Sequence, residues 1–232
     1  MRIGLELLKK CDMDADELKK RYKKGRRDFT DLDLSGLKLK KVELWKGDFS
    51  RSDFSGADLR NTDMSKTKLV GTILRGANLA KADLSKADMS TAVLDEAMLR
   101  KADLSSAILN RASFQRADLE SADLSYTNLT DANFTDANLE DADFEDANLR
   151  GAVLDGACMA GAYLKGADVD QEQLASAVLV KGGGKPVKAA PDARLPAACP
   201  SCGAPLVPDQ AIWHDSRTAS CPFCNSVVNA LD

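Results

Sequence analysis

From Phe29 to Val169 every fifth residue is large and apolar, twenty-nine in succession with no insertion and no slip. Two residues before each of them, from Phe49 on, sits a small residue, which from Ala57 to Ala167 is Ala except at Thr62, Thr67, Thr72 and Thr127. A strict internal period signals stacked repeats rather than an irregular core. In Ala82-Asp83-Leu84 the alternation puts Ala and Leu on one side and Asp on the other, as in an extended chain. The next two residues, Ser85 and Lys86, are polar and must turn the chain. Turning every five residues with the large residues inward coils the chain into a narrow tube. A helix is excluded, because its period of about 3.6 would smear the Leu positions over every face. The Thr hydroxyls beside the core need backbone partners.

Units such as Ala77-Asn78-Leu79-Ala80-Lys81, Ala102-Asp103-Leu104-Ser105-Ser106 and Ala137-Asn138-Leu139-Glu140-Asp141 resemble the A-(D/N)-L-x-x signature of the pentapeptide-repeat family. The resemblance spans residues 29–169. It implies an all-β solenoid, a right-handed, four-sided β-helix with four repeats per coil. Twenty-nine units then make about seven coils, on the order of 35 Å of rod at the strand spacing of roughly 4.8 Å. Residues twenty apart stack, with Phe114 over Phe134.

A β-helix leaves unpaired edges at both ends, and the sequence predicts a cover for each. Residues 1–27 form an N-terminal helical cap segment. In it Asp14 to Gly25 reads as a short helix, acids first, bases last and Gly as the stop. Leu18 and Tyr22 would lie on the first coil. The β-helix with its C-terminal cap spans 28–180, the cap being a helical turn near Asp170 to Leu174. Residues 181–198, rich in Gly, Pro and Ala, read as a flexible linker.

Residues 199–232 hold Cys199, Cys202, Cys221 and Cys224, two Cys-x-x-Cys pairs eighteen residues apart. The spacing looks like a zinc ribbon. Four thiolates satisfy one tetrahedral, structural Zn²⁺, with disulfides or free thiols, or another metal or redox use, as the other readings. His214, the only histidine, is a bystander. A segment this short draws its stability from the metal. Trp213 covers the apolar patch beneath the zinc or anchors a partner. The ribbon carries one Arg and no Lys against three Asp, which is no footprint for nucleic acid.

The net charge of −4 conceals an asymmetry. Residues 1–27 carry ten Lys/Arg against five Asp/Glu, residues 28–117 fifteen against thirteen, and residues 118–170 two against thirteen. The N-terminus shows no secretory signal and no stretch approaches a membrane span, so the expected location is cytoplasmic.

The outward positions hold Asp, Asn or other polar residues at most repeats. One column reads Glu43, Asp63, Asp83, Asp103, Asp123, Asp143, with Ser65, Ser85, Ser105 and Ser125 beside it. These Asp either hydrogen-bond the turn backbone or form an acidic stripe that mimics a phosphate backbone. Ile73 and Val93 are outward and apolar, with Val70, Met98 and Ile108 nearby in sequence. They form the candidate protein-binding patch. Trp45 is expected beneath residues 1–13. The basic run from Lys19 to Arg27 is a solvated helix face or an anion site. No enzyme constellation is present. Cys11 and Cys158 have no His near them in sequence, so neither is a nucleophile. The expected function is a non-enzymatic scaffold or adaptor that binds a protein partner of unknown identity and no nucleic acid. The alternative is a DNA mimic of the quinolone-resistance type, acting on a type II topoisomerase such as gyrase.

Overall fold

The structure, a computed structural model, describes residues 13–177, residue 199 and the strand residues 212–213, 218–220 and 227–229. Asp28 bridges Asp48 and Asp33 bridges Asp53, both in parallel. The same pairing of residue i with i+20 recurs at every fifth residue up to Asn148 and Asp168. One coil therefore takes four sides of five residues, and no helix interrupts residues 30–168.

Extended geometry is confined to the middle of each side. The outward residue makes both bonds of a parallel bridge. Asp53 N donates to the Leu32 carbonyl at 2.9 Å, and the Asp53 carbonyl accepts from Leu34 N at 2.7 Å. The next residues already turn, so the β-structure of the rod consists of isolated bridges, not of the longer strands that an all-β description suggests. At a corner the chain closes a β-turn. Ala57 N donates to the Phe54 carbonyl at 2.9 Å across Ser55 and Gly56. Such a turn requires positive φ at its third residue. The twenty-eight corner residues from Asp31 to Gly166 all have φ between 53° and 75°, and twenty of them are not glycine. An L-residue there costs about 1 kcal/mol, so each corner is held by its neighbours rather than by its own preference.

The twenty-eight large residues from Phe29 to Leu164 are buried, whereas the twenty-ninth, Val169, is half-exposed. They stack by coil. Phe114 lies on Phe134 with ring centroids 4.8 Å apart and planes 5° from parallel. The small residue beside each core residue is buried as well, from Ala57 to Ala162. Where it carries a hydroxyl, the hydroxyl donates to a backbone carbonyl: Thr62 to Leu39 at 3.2 Å, Thr67 to Met64 at 2.6 Å, Thr72 to Phe49 at 3.1 Å, and Thr127 to Leu124. No buried side-chain nitrogen or oxygen among the described residues lacks a hydrogen-bond partner.

Helix α1 (Ala15–Lys23) starts where the Asp14 carboxylate accepts from the Asp16 and Glu17 amides at 3.0 and 2.8 Å. It buries Leu18 and Tyr22. The Tyr22 ring stacks on Phe29 at 5.7 Å, and Phe29 on Phe49 at 5.4 Å, so α1 prolongs an interior aromatic column past the first coil. At the other end α2 (Gln171–Ala175) opens with a capping box between Asp170 and Gln173 and buries Leu174. The Gln173 amide donates to the carbonyls of Leu149 and Ala152 at 2.7 and 2.8 Å. The Ala152 carbonyl is one that a further coil would otherwise pair, as Val153 N pairs the Ala132 carbonyl, whereas the Leu149 carbonyl also accepts from Ala152 N at 2.9 Å. Farther along, β1 (Ile212–Trp213), β2 (Thr218–Ser220) and β3 (Val227–Asn229) form an antiparallel sheet in the order β1-β2-β3.

The last coil differs from the others at its corners, where Gly156 shows the reason. Its φ is +69°, and an added Cβ would lie 2.4 Å from Oδ1 of Asp136 on the preceding coil. At Gly36, with φ +65°, a Cβ would meet nothing within 4 Å. Gly36→Ala should therefore cost about 1 kcal/mol in denaturant unfolding from the backbone alone. Gly156→Ala should cost more, and the excess should vanish when Asp136→Ala is added. An equal cost at the two sites would contradict this account.

Candidate interaction surfaces

The coil register sorts the outward residues into four faces. The first carries Asp48, Lys68, Asp88 and Ile108, and the second Asp53, Ile73, Val93, Ser113, Asn133 and Val153. The third carries Asp58, Asn78, Met98 and Asp118, and the fourth the column from Glu43 to Asp143 with Tyr163 above it.

The candidate patch is therefore not one surface. Ile73 and Val93 are bridged to each other on the second face, with Ile73 exposed at 41% and Val93 half-buried. Val70, half-buried, sits at the corner that leads into this face. Met98 and Ile108 are exposed, but the third and first faces hold them, around the neighbouring corners. Residues five apart in sequence are a quarter-turn apart in space, and only residues twenty apart share a face. The second face also exposes Val153, which sequence reading passed over although the twenty-residue spacing links it to Ile73. Trp213 belongs to β1, but its side chain lies outside the described part of the chain. Cys199 is buried. Cys202, Cys221 and Cys224 lie outside the described residues, and no metal-ligating cluster occurs among those that are described.

The acidic column is built into the corners. Asp63 Oδ1 accepts from the Ser65 amide at 2.9 Å and the Ser65 hydroxyl at 2.7 Å, and Asp103 does the same for Ser105 at 2.9 and 2.6 Å. Asp83, Asp123 and Asp143 each accept an amide two residues on at 2.9 Å. The side chain thus supplies a partner for an N–H that the corner frees, which accounts for the recurrence of Asp and Asn at this position. Burial pushes the Asp143 carboxyl above its ordinary value, offset by the Glu145 amide and reinforced by Asp123. Asp58 on the third face goes the other way. The Arg60 guanidinium hydrogen-bonds it at 2.7 and 2.6 Å and lowers its pKa to about 2.

Between α1 and the first coil of the fourth face lies a cleft of about 560 Å³, lined by Lys19, Tyr22, Lys23, Arg27, Lys40, Lys41, Val42, Glu43 and Trp45. Trp45 is 39% exposed, and its carbonyl accepts from the Tyr22 hydroxyl. The Arg27 guanidinium lies 4.0 Å over the Tyr22 ring and the Lys46 ammonium 4.7 Å from the Trp45 ring. Lys23, Arg27, Lys40, Lys41 and Lys46 make no ion pair among the described residues. The segment expected to cover Trp45, residues 1–13, lies outside the described residues except for buried Met13.

The Asp58 pair makes a pH prediction. A carboxyl depressed in the folded state contributes stability above its unfolded pKa, near 3.9, and that contribution is lost as pH falls through the folded value. The loss should fall between about pH 4 and pH 2. In Arg60→Ala the Asp58 titration, followed by carboxyl NMR, should move up toward the ordinary range. An unchanged Asp58 titration would refute the assignment of its shift to Arg60.

Comparison with known proteins completes the description. The family model for pentapeptide repeats matches in eight copies within residues 28–171, more than half of the chain. No curated protein sequence matches. Among solved structures the chain is similar to HetL, a pentapeptide repeat protein involved in heterocyst differentiation regulation from the cyanobacterium Nostoc sp. strain PCC 7120. The identity is 26% over 68% of this chain and 91% of that one, with a TM-score of 0.46. It is also similar to QnrB1, a plasmid-mediated fluoroquinolone resistance protein, at 25% identity over 61% and 75% of the two chains and a TM-score of 0.40. A pentapeptide repeat protein from the Arabidopsis thaliana thylakoid lumen matches at 24% identity over 61% and 74%, with a TM-score of 0.35. With its five-residue frame, its twenty-residue coil and the match to the repeat model, the chain belongs to the pentapeptide-repeat family.

Proposed function

We propose that this protein is a non-enzymatic scaffold that captures a protein partner on the rod. Pentapeptide-repeat proteins are generally interaction or scaffold proteins. The observation that carries the reading here is the Ile73–Val93 rung, two apolar residues bridged to each other where Asp53, Ser113 and Asn133 stand on the same face. Apolar side chains on a rigid backbone add no cost of loop ordering when they bind, which favours association. Helix α1 and the α2 turn are read as the caps that keep rods from pairing end to end. The proposed location is the cytoplasm. Among the described residues no helix is long and apolar enough to cross a membrane.

The alternative, mimicry of duplex DNA toward a topoisomerase, requires one continuously negative face. None of the four offers it. The acidic column of the fourth face is flanked by Arg60, Lys66, Lys81, Lys86, Arg100 and Lys101 at its corners, and the second face alternates in sign from coil to coil. Ile73→Asp combined with Val93→Asp should weaken partner capture while leaving the thermal melt nearly unchanged, because Asp already occupies this position at Asp53. Retention of every partner by the double variant would sink the proposal. Inhibition of gyrase supercoiling by stoichiometric protein would favour mimicry instead.

We also propose that residues 199–232 bind one structural zinc through Cys199, Cys202, Cys221 and Cys224. The strand order supports this. Cys221 follows directly on β2, and Cys224 precedes β3 by three residues, so one Cys pair falls in the connection between two antiparallel strands. Elemental analysis of chelator-free protein should find one zinc per chain. Cys202→Ser should release it without lowering the melting temperature of the rod, since residues 181–198 separate the two. Zinc-free protein, or a destabilised rod in the variant, would contradict the assignment.

A further inference from the structure

The cleft between α1 and the first coil holds charge that its own lining does not balance. Lys23 and Arg27 reach it from the α1 side, and Lys40 and Lys41 from the coil, against Glu43 as the acid of the lining. None of these five makes an ion pair among the described residues. Lys19, which also lines the cleft, is taken by Asp16 at 3.2 Å. The rod treats its cations differently. Each of the seven arginines from Arg51 to Arg150 has a carboxylate oxygen within 3.7 Å. Arg27 is half-buried, yet among the described residues its guanidinium meets neutral groups. Its Nη1 donates to the carbonyls of Tyr22 and Arg26 at 2.9 Å each, and the Tyr22 and Trp45 rings lie 4.0 and 5.9 Å away. The C-terminal end of α1 carries a partial negative charge that answers Lys23 and Arg27 in part. It does not account for Lys40 and Lys41, which the coil brings in. Lys40 also acts on Asp58, but Arg60 already holds that carboxylate at 2.6 Å.

We infer that this cleft binds a small phosphate-bearing anion. A concave site focuses the field of the charges that line it, and phosphate oxygens are the acceptors that guanidinium and ammonium donors pair with best. A volume of about 560 Å³ is that of a small-molecule site, not a seat for a folded partner. Trp45, 39% exposed, adds an apolar wall on which a planar group can stack. A nucleoside phosphate would use the cations and the indole, and a free phosphate chain the cations alone. The site is shaped before any ligand arrives. The Tyr22 ring is stacked on Phe29 and its hydroxyl donates to the Trp45 carbonyl, which ties α1 to the coil that carries Lys40 and Lys41. Binding then costs little ordering of the backbone. Lys81 and Lys86 also lack ion pairs among the described residues, but they stand exposed at open corners of the rod, where water screens them. Partner capture uses the second face, so either reading can fail without the other.

The test is calorimetric titration of the full-length protein with sodium tripolyphosphate and, separately, with ATP, at roughly 50 mM salt and without divalent cations. Both should bind with a dissociation constant below about 1 mM. Lys40→Ala combined with Lys41→Asn should raise that constant about tenfold or more, as expected for the loss of charged hydrogen-bond donors. Folding should survive, since Ala80 and Asn61 already stand at the same places on later coils, and thermal melts check it. Lys81→Asn combined with Lys86→Asn removes the same charge from the open corners and should leave the affinity nearly unchanged. ATP should bind more tightly than tripolyphosphate, and Trp45→Ser should remove the difference, because the nucleoside alone uses the indole. ATP binding no tighter than tripolyphosphate would make a free phosphate chain the ligand of the same site. Failure of both probes to bind, an affinity untouched by the Lys40 and Lys41 changes, equal weakening by the two lysine pairs, or an ATP advantage that survives Trp45→Ser would each overturn the proposal.

Discussion

Everything in this rod depends on the pairing of residue i with residue i+20. The amide of Asp53 can reach the Leu32 carbonyl only if twenty residues return the chain to its starting angle one coil higher. That return requires four equal corners, and equal corners require positive φ at the same place in every repeat. Lys, Arg, Asp, Ser, Glu, Asn, Thr and Tyr all accept that conformation here. They accept it because the bridges on both sides leave no alternative, a case of local preference overruled by the surrounding structure. The stacked Phe114 and Phe134 and the Asp63–Ser65 corner bonds follow from the same register.

Stability in such an object is close to one-dimensional, since each coil touches only the two beside it. The ends are therefore special. At the first coil the answer is aromatic: the Tyr22 ring continues the column of Phe29 and Phe49. At the last coil it is polar: the Gln173 amide donates to the Ala152 carbonyl, in place of a further coil, and to that of Leu149. The difference fits the asymmetry of a parallel stack, whose two ends present different unpaired groups to their covers.

Much of this was legible in the sequence. The five-residue frame gave the inward and outward assignment of each residue from Phe29 to Leu164, the Phe114–Phe134 stack and the backbone partners of the Thr hydroxyls. The same frame, read only locally, misjudged the surface. Val70, Ile73, Val93, Met98 and Ile108 are near one another in sequence, yet the coil distributes them over three faces. The period of five fixes what is inside, but the period of twenty fixes which side faces out, and that second period leaves no mark on composition. The cleft beside Trp45 was hidden for another reason. It forms where α1 meets the first coil, and no periodic pattern encodes the angle of that meeting.

The four-sided coil has a consequence for how such a surface can change. A duplication of five residues keeps every core contact type in place, yet it rotates all downstream side chains by a quarter-turn. Glu145 and Asp146, which border the fourth face, would move to a different edge while the interior scarcely altered. A duplication of twenty residues only lengthens the rod. The repeat thus behaves as a combination dial, on which surface patterns can be brought into line or thrown out of it by small insertions that the core does not register. An unbroken frame from Phe29 to Val169 means that in this chain the dial stands at one setting along the whole rod.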